Sequence, residues 1–131
     1  MKKPLFLGLD EVVEIHRDQI ERYGGHPGIR DIEILQSAVG TPAAGFGGDY
    51  LHTDIVEMAA AYLFHIVRNH PFVDGNKRTG AVAAVVFLMM NGIDIHADEK
   101  SFEGMVRSVA GGKMDKAGVA EFFRKYSMKK G

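Results

Sequence analysis

The sequence predicts an all-α fold, a compact bundle of about six helices around a central buried helix. Three observations predict it. Apolar residues recur at helical spacing along most of the chain. Glycine and proline gather in the short stretches between those segments. One long uncharged apolar run, Ala81 to Met90, stops well short of the roughly 18–20 residues that cross a bilayer. It is therefore expected to be the core helix, buried on every side.

The first helix is expected from about Glu11 to Arg22. Asp10 would cap it, and Val12, Val13, Ile15, His16, Ile20 and Tyr23 would lie towards one side. Gly24-Gly25 ends it, and Pro27-Gly28 continues the loop. A second, shorter helix from about Asp31 to Val39 carries Ile32, Ile34, Leu35 and Ala38. The stretch from Gly40 to Tyr50, with four glycines and a proline, reads as a mobile loop. A third helix, capped by Thr53, runs from Asp54 to about Asn69 and stops at His70, because Pro71 disfavours helical geometry in the residue before it. A fourth begins near Asn76 and ends at Met90 or Asn91, with Gly92 closing it. Ile93 to His96 reads as a short extended piece. Two last helices follow, about Glu99 to Ala110 and Ala117 to Met128.

With 131 residues, 46% of them apolar, the expectation is one domain over 1–131 with one core. The formal net charge is −1, which excludes the broad positive excess of a general nucleic-acid binder. No membrane association is expected. There is no cysteine, so thiol nucleophiles, disulfides and thiolate metal sites are all excluded. The absence of disulfides in so small a domain, with no signal-peptide pattern, points to the cytoplasm. His16, His26, His52 and His96 show no metal-ligand spacing, which argues against a zinc hydrolase. His65 reads as a satisfied core or rim histidine.

Chemistry concentrates in His70-Pro71-Phe72-Val73-Asp74-Gly75-Asn76-Lys77-Arg78. The segment joins the end of one helix to the start of the next. A helix start carries unpaired N–H groups and partial positive charge, and so takes phosphate readily. Gly75 allows close backbone approach, Asn76 adds an amide, and Lys77 and Arg78 add two cations of different shape. The set reads as a polyphosphate cradle. A carboxylate beside such a cradle would repel the ligand unless a cation lay between them, so Asp74 reads as a Mg²⁺ ligand. Histidine ordinarily titrates near neutrality, which suits His70 as a general base on a hydroxyl nucleophile. Phe72 reads as the anchor of the loop in the core. Arg68 has two open roles, a phosphate contact or a cation at the third helix's C-terminus. Each residue also has an ordinary use: a surface histidine, an Asp-Gly-Asn turn, a helix cap, solvent-facing cations. It is the ordered set, with cations where the helix dipole disfavours them, that points to a site.

The segment resembles the signature of the Fic/Doc superfamily, His-x-Phe-x-Asp/Glu-Gly-Asn-Gly/Lys-Arg, and most resembles its death-on-curing (Doc) branch. The resemblance extends to Arg22-Tyr23-Gly24-Gly25, to Gly28-Ile29-Arg30-Asp31 and to Arg68, and covers essentially the whole chain. It implies a toxin of a type II toxin–antitoxin pair. Such a toxin moves the γ-phosphoryl of ATP, with Mg²⁺, to a threonine or serine hydroxyl of elongation factor Tu and so arrests translation. It implies His70 as the base, Asp74 as the metal ligand, and Asn76, Lys77 and Arg78 as phosphate binders. The adenylylating branch usually has glycine at the position of Lys77 and a second arginine at that of Ala81; this chain has the Doc pattern at both. Gly75 is closer to the adenylylating pattern, which keeps AMP transfer open as an alternative. A catalytically silent antitoxin-binding module is the other alternative. No clean copy of the family's inhibitory Ser/Thr-x-x-x-Glu-Gly/Asn segment is found, Thr53 to Glu57 having only the spacing. Restraint is then expected from a separate antitoxin chain.

Overall fold

The computed structural model describes residues 3–46 and 48–129, with the side chains of residues 46 and 129 left out of the description. Six helices dominate: α1 (Leu9–Tyr23), α2 (Ile32–Gly40), α3 (Ile55–Asn69), α4 (Asn76–Met90), α5 (Glu99–Ala110) and α6 (Lys116–Tyr126). The all-α expectation holds. Among the described residues no helix is long and apolar enough to cross a membrane.

Local chemistry explains where the helices start. Asp31, Asp54, Asp98 and Asp115 each accept a backbone N–H from the first turn that follows. Asp10 is not a cap. Helix α1 starts earlier, after Gly8, and Glu11 reaches back to accept the Gly8 N–H at 2.8 Å. Thr53 is not the cap of α3 either. Its hydroxyl donates to the Glu57 carboxylate, and Asp54 does the capping.

The central helix is α3, not the uniformly apolar α4. Nine of the residues of α3 are buried, and it packs against α2, α4, α5 and α6. Its Ala59-Ala60-Ala61 run keeps one stretch thin, and Gly80 lets α4 come close: a Cβ there would sit 2.7 Å from a Val67 methyl. Helix α4 buries Thr79, Gly80, Ala83, Ala84, Phe87 and Leu88, while Ala81, Val82, Val85 and Val86 are half-buried and Met89 and Met90 exposed. An apolar sequence all round thus does not bury α4 all round. Its outer side forms cleft walls with α1 and α5.

Two small sheets correct the loop and helix-end expectations. The stretch from Gly40 to Tyr50 contains a 3₁₀ turn, Thr41–Ala43, and a hairpin of β1 (Gly45–Phe46) with β2 (Asp49–Tyr50); Gly47 lies outside the described residues. Gly45 permits this pairing, because a Cβ there would lie 2.3 Å from the Asp49 carbonyl oxygen. Strand β3 (Ile93–Ile95) pairs antiparallel with β4 (Ser127–Lys129), Asp94 opposite Met128. Helix α6 therefore ends at Tyr126, and the following residues satisfy the β3 backbone instead of extending the helix. The N-terminal segment is pinned by buried Tyr62, whose hydroxyl donates to the Leu7 carbonyl and accepts the Leu7 N–H. Burial foremost pushes that phenol up to about 12.

Candidate active site

Helix α3 ends at His70, whose φ of 50° makes it the one non-glycine residue with positive φ among those described. Helix α4 begins at Asn76 after Gly75, which is also left-handed. Six residues, 70–75, join the two helices, and almost every one is tied down. The Pro71 carbonyl accepts the N–H groups of Arg30 and Asp31 at 2.8 and 3.1 Å. Phe72 forms an isolated antiparallel bridge with Ile29, and the Val73 N–H donates to the Gly28 carbonyl. The segment 28–31 thus runs beside the loop as a second strand would.

Phe72 is 1% exposed and anchors the loop, as its residue type predicts. Its ring stacks on His16, with centroids 3.8 Å apart and planes 5° from parallel. The His16 Nε2 donates to the Asp74 carbonyl at 2.8 Å. Burial lowers the His16 pKa and the Arg78 charge adds to this, against the opposing hydrogen bond to Asp74. Sequence reasoning left His16 on the apolar side of α1 with no role in the site. Only its place in that stripe hinted at contact with the core.

Asn76 corrects the expectation that its amide binds phosphate. The side chain is buried, its Oδ1 accepting the Phe72 N–H and its Nδ2 donating to the Phe72 carbonyl, both at 3.0 Å. It is a clasp that closes the loop. What Asn76 offers a ligand is its main chain. The N–H groups of residues 76–78 meet no acceptor among the described residues, and Thr79 closes the first turn onto Gly75. Lys77 is exposed beside them and lines a cleft of about 610 Å³ between α1, α4 and α5.

Arg78 lines that cleft too, but much of its fork is committed. It donates to the Gln19 carbonyl at 3.2 Å and the Gly24 carbonyl at 2.9 Å, and its guanidinium lies 5.9 Å from the centre of the Tyr23 ring. It therefore caps the end of α1 as well as standing at the start of α4. Arg22 pairs with Asp18 on its own helix. Arg68 is not brought to the cradle. It donates towards the Ala110 carbonyl at the end of α5 and lines a separate cleft with residues 112–118, so its position does not favour the phosphate contact, one of its two open roles. Thr53 and Glu57, which have only the spacing of an inhibitory segment, lie at the start of α3, where Glu57 meets Arg124.

Asp74 is half-exposed. Its Oδ2 accepts the His26 N–H at 3.2 Å and its Oδ1 the Gly75 N–H at 2.8 Å. Those two bonds, His26 foremost, hold its carboxyl below the usual range. Gly25 makes room for it, since a Cβ there would stand 2.8 Å from Oδ2. One ionised carboxylate with lone pairs to spare suits a magnesium ion that takes its other ligands from phosphate and water. Among the described residues no group of three or more acidic or histidine side chains converges as a self-sufficient metal cage.

Residues 6–88 match the family model of the Fic/DOC family. "Protein kinase doc" of Escherichia phage P1 is 32% identical over 116 residues, 88% of this chain and 90% of that protein. "Toxin Doc" of Mycolicibacterium smegmatis is 42% identical over 76 residues, 58% of each chain. The family match runs from the segment pinned by Tyr62 almost to the end of α4, and so takes in every element that holds the 70–78 loop: the chain belongs to the Fic/DOC family, in its Doc branch.

Proposed function

We propose that this protein is the toxin of a type II toxin–antitoxin pair, acting in the cytoplasm, and that it transfers the γ-phosphoryl of ATP to a threonine or serine hydroxyl of elongation factor Tu. The observation that carries the reading is the tied loop. It fixes a histidine at the end of α3 relative to an uncapped helix start bearing Lys77 and Arg78. Phosphoryl transfer asks for little else from a protein than such positioning and charge. The relatives' names, a protein kinase and a toxin, support the same direction.

In this reading the exposed His70 imidazole takes the proton from the target hydroxyl. The hydroxyl oxygen forms a bond to the γ-phosphorus as the bond from that phosphorus to its bridging oxygen breaks. ADP leaves with the electron pair. The N–H groups at the start of α4 and the Lys77 ammonium hold the phosphate oxygens, and the free edge of Arg78 adds to them. Gly75, left-handed at φ 77°, brings that backbone to the ligand without a side chain in the way. Asp74 would hold Mg²⁺, which when bound neutralises phosphate charge. Ala81 lines the cleft beside Lys77 and offers no second cation, which favours γ-phosphoryl over AMP transfer. A separate antitoxin would restrain the enzyme.

A cell-free translation system tests the reading. The wild-type chain with ATP is expected to stop synthesis, and His70→Ala to leave it running. Fresh elongation factor Tu, added after the toxin is removed, should restore it. Arrest that fresh factor does not relieve would make the target wrong; no arrest at all would remove the toxin reading.

A further inference from the structure

We propose that Arg30 is the positioning residue of His70, setting the backbone from which the imidazole works; as a statement about catalysis this rests on the reading of His70 as the base. The α3 C-terminus presents carbonyls that have no partner within the helix. Arg30, forty positions away in sequence, supplies two: its Nε donates to the His70 carbonyl at 2.5 Å and its Nη2 to the Asn69 carbonyl at 2.8 Å. The main chain of the same residue, with that of Asp31, donates to the Pro71 carbonyl. Three successive carbonyls, 69 to 71, are thus held from one short segment.

The residue in the middle of this grip is the one described non-glycine residue with positive φ. A left-handed histidine is strained and persists only where its surroundings impose it. Pro71 keeps His70 out of the helix and by itself favours extended backbone, so the left-handed conformation has to be imposed from elsewhere. The Arg30 fork imposes it, since it binds the carbonyls of residues 69 and 70 together and so fixes their relative direction. A planar guanidinium with adjacent donors suits such a pair of acceptors, and an ammonium does not. The charge is also favourable at a helix C-terminus. Arg30 itself is exposed, so its removal leaves no cavity; the expected defect is in orientation rather than in packing.

The test combines two readouts on Arg30→Ala and Arg30→Lys. The first, on the nucleotide-free protein, follows the His70 ring signals by NMR, with His96 as internal reference. Arg30→Ala is expected to shift and broaden the His70 signals and leave those of His96 in place, and Arg30→Lys to restore them in part. The second is transfer kinetics. The kcat of Arg30→Ala should fall roughly 10- to 100-fold, the loss typical of a misplaced reacting group, with KM for the nucleotide nearly unchanged. Unchanged His70 signals in Arg30→Ala would overturn the proposal whatever the activity. So would altered signals with an unchanged kcat, or a fall in kcat matched by global unfolding. A wild-type chain without transferase activity would remove the proposed function, while the NMR comparison would still decide whether Arg30 sets His70.

Discussion

Asn76 and Lys77 are neighbours in sequence with opposite uses. Asn76 is spent on the loop, bonding both backbone groups of buried Phe72, whereas Lys77 stands exposed on the cleft. Replacing Asn76 by Ala strands a buried N–H and a buried carbonyl, so Asn76→Ala is expected to cost about 2 kcal/mol of unfolding free energy. Lys77→Ala should leave stability nearly unchanged and weaken nucleotide binding. Denaturant unfolding beside nucleotide titration checks the pair; equal stabilities would mean that Asn76 is no clasp. The residue types of the loop were legible in the sequence, and so was the anchoring of Phe72. The division of labour was not, because a buried amide and a ligand-binding amide are the same letter. His16 and Arg30 were hidden for a related reason. Their roles come from contacts across 58 and 40 positions, which no local pattern encodes.

At the scale of elements, α3 is held to α6 by an unusual polar contact. The Lys116 Nζ, at the start of α6, lies 3.1 Å from the Nε2 atoms of both His52 and His65. Both imidazoles therefore accept and are neutral. Burial foremost, then the Lys116 charge and His52, lowers His65 from 6.5 to about 4; burial and Lys116 lower His52, against a smaller pull from Glu57. The folded state thus binds fewer protons than the unfolded chain in this window. Stability from His65 is fully present above about pH 6.5 and is lost as pH falls towards 4. His65→Gln keeps an acceptor for Lys116 and cannot titrate. Its loss of stability between roughly pH 7 and pH 5 is therefore expected to be smaller than that of wild type. Parallel pH profiles of the two unfolding midpoints would show that the contact does not carry the effect. Helix positions were largely legible, since apolar periodicity is local; the caps were not, Asp10 and Thr53 giving way to Gly8 with Glu11 and to Asp54. The rank of the helices was not. The apolar run of α4 suggested the centre, but α3 occupies it, because helix α3 packs on four neighbours while one side of α4 is left to the clefts.

For the whole molecule, a scaffold of buried helices presents one short, tightly held loop beside a cleft large enough for a nucleoside. The balanced net charge leaves the local cations at the start of α4 to supply the phosphate attraction that the proposed function requires. That separation of scaffold from site is why the motif could be read before the fold: its chemistry is contiguous in sequence. The target protein is a different matter, since recognition of a partner is spread over surfaces that no short segment spells out. The central claim is that this loop transfers a γ-phosphoryl group with His70 as base. The most direct test incubates the chain with Mg²⁺, elongation factor Tu and ATP labelled, in separate reactions, at the α- or the γ-phosphorus, with His70→Ala as control. The account predicts label on the factor from the γ position only, and none with His70→Ala. Label from the α position, or equal labelling by wild type and His70→Ala, would contradict it.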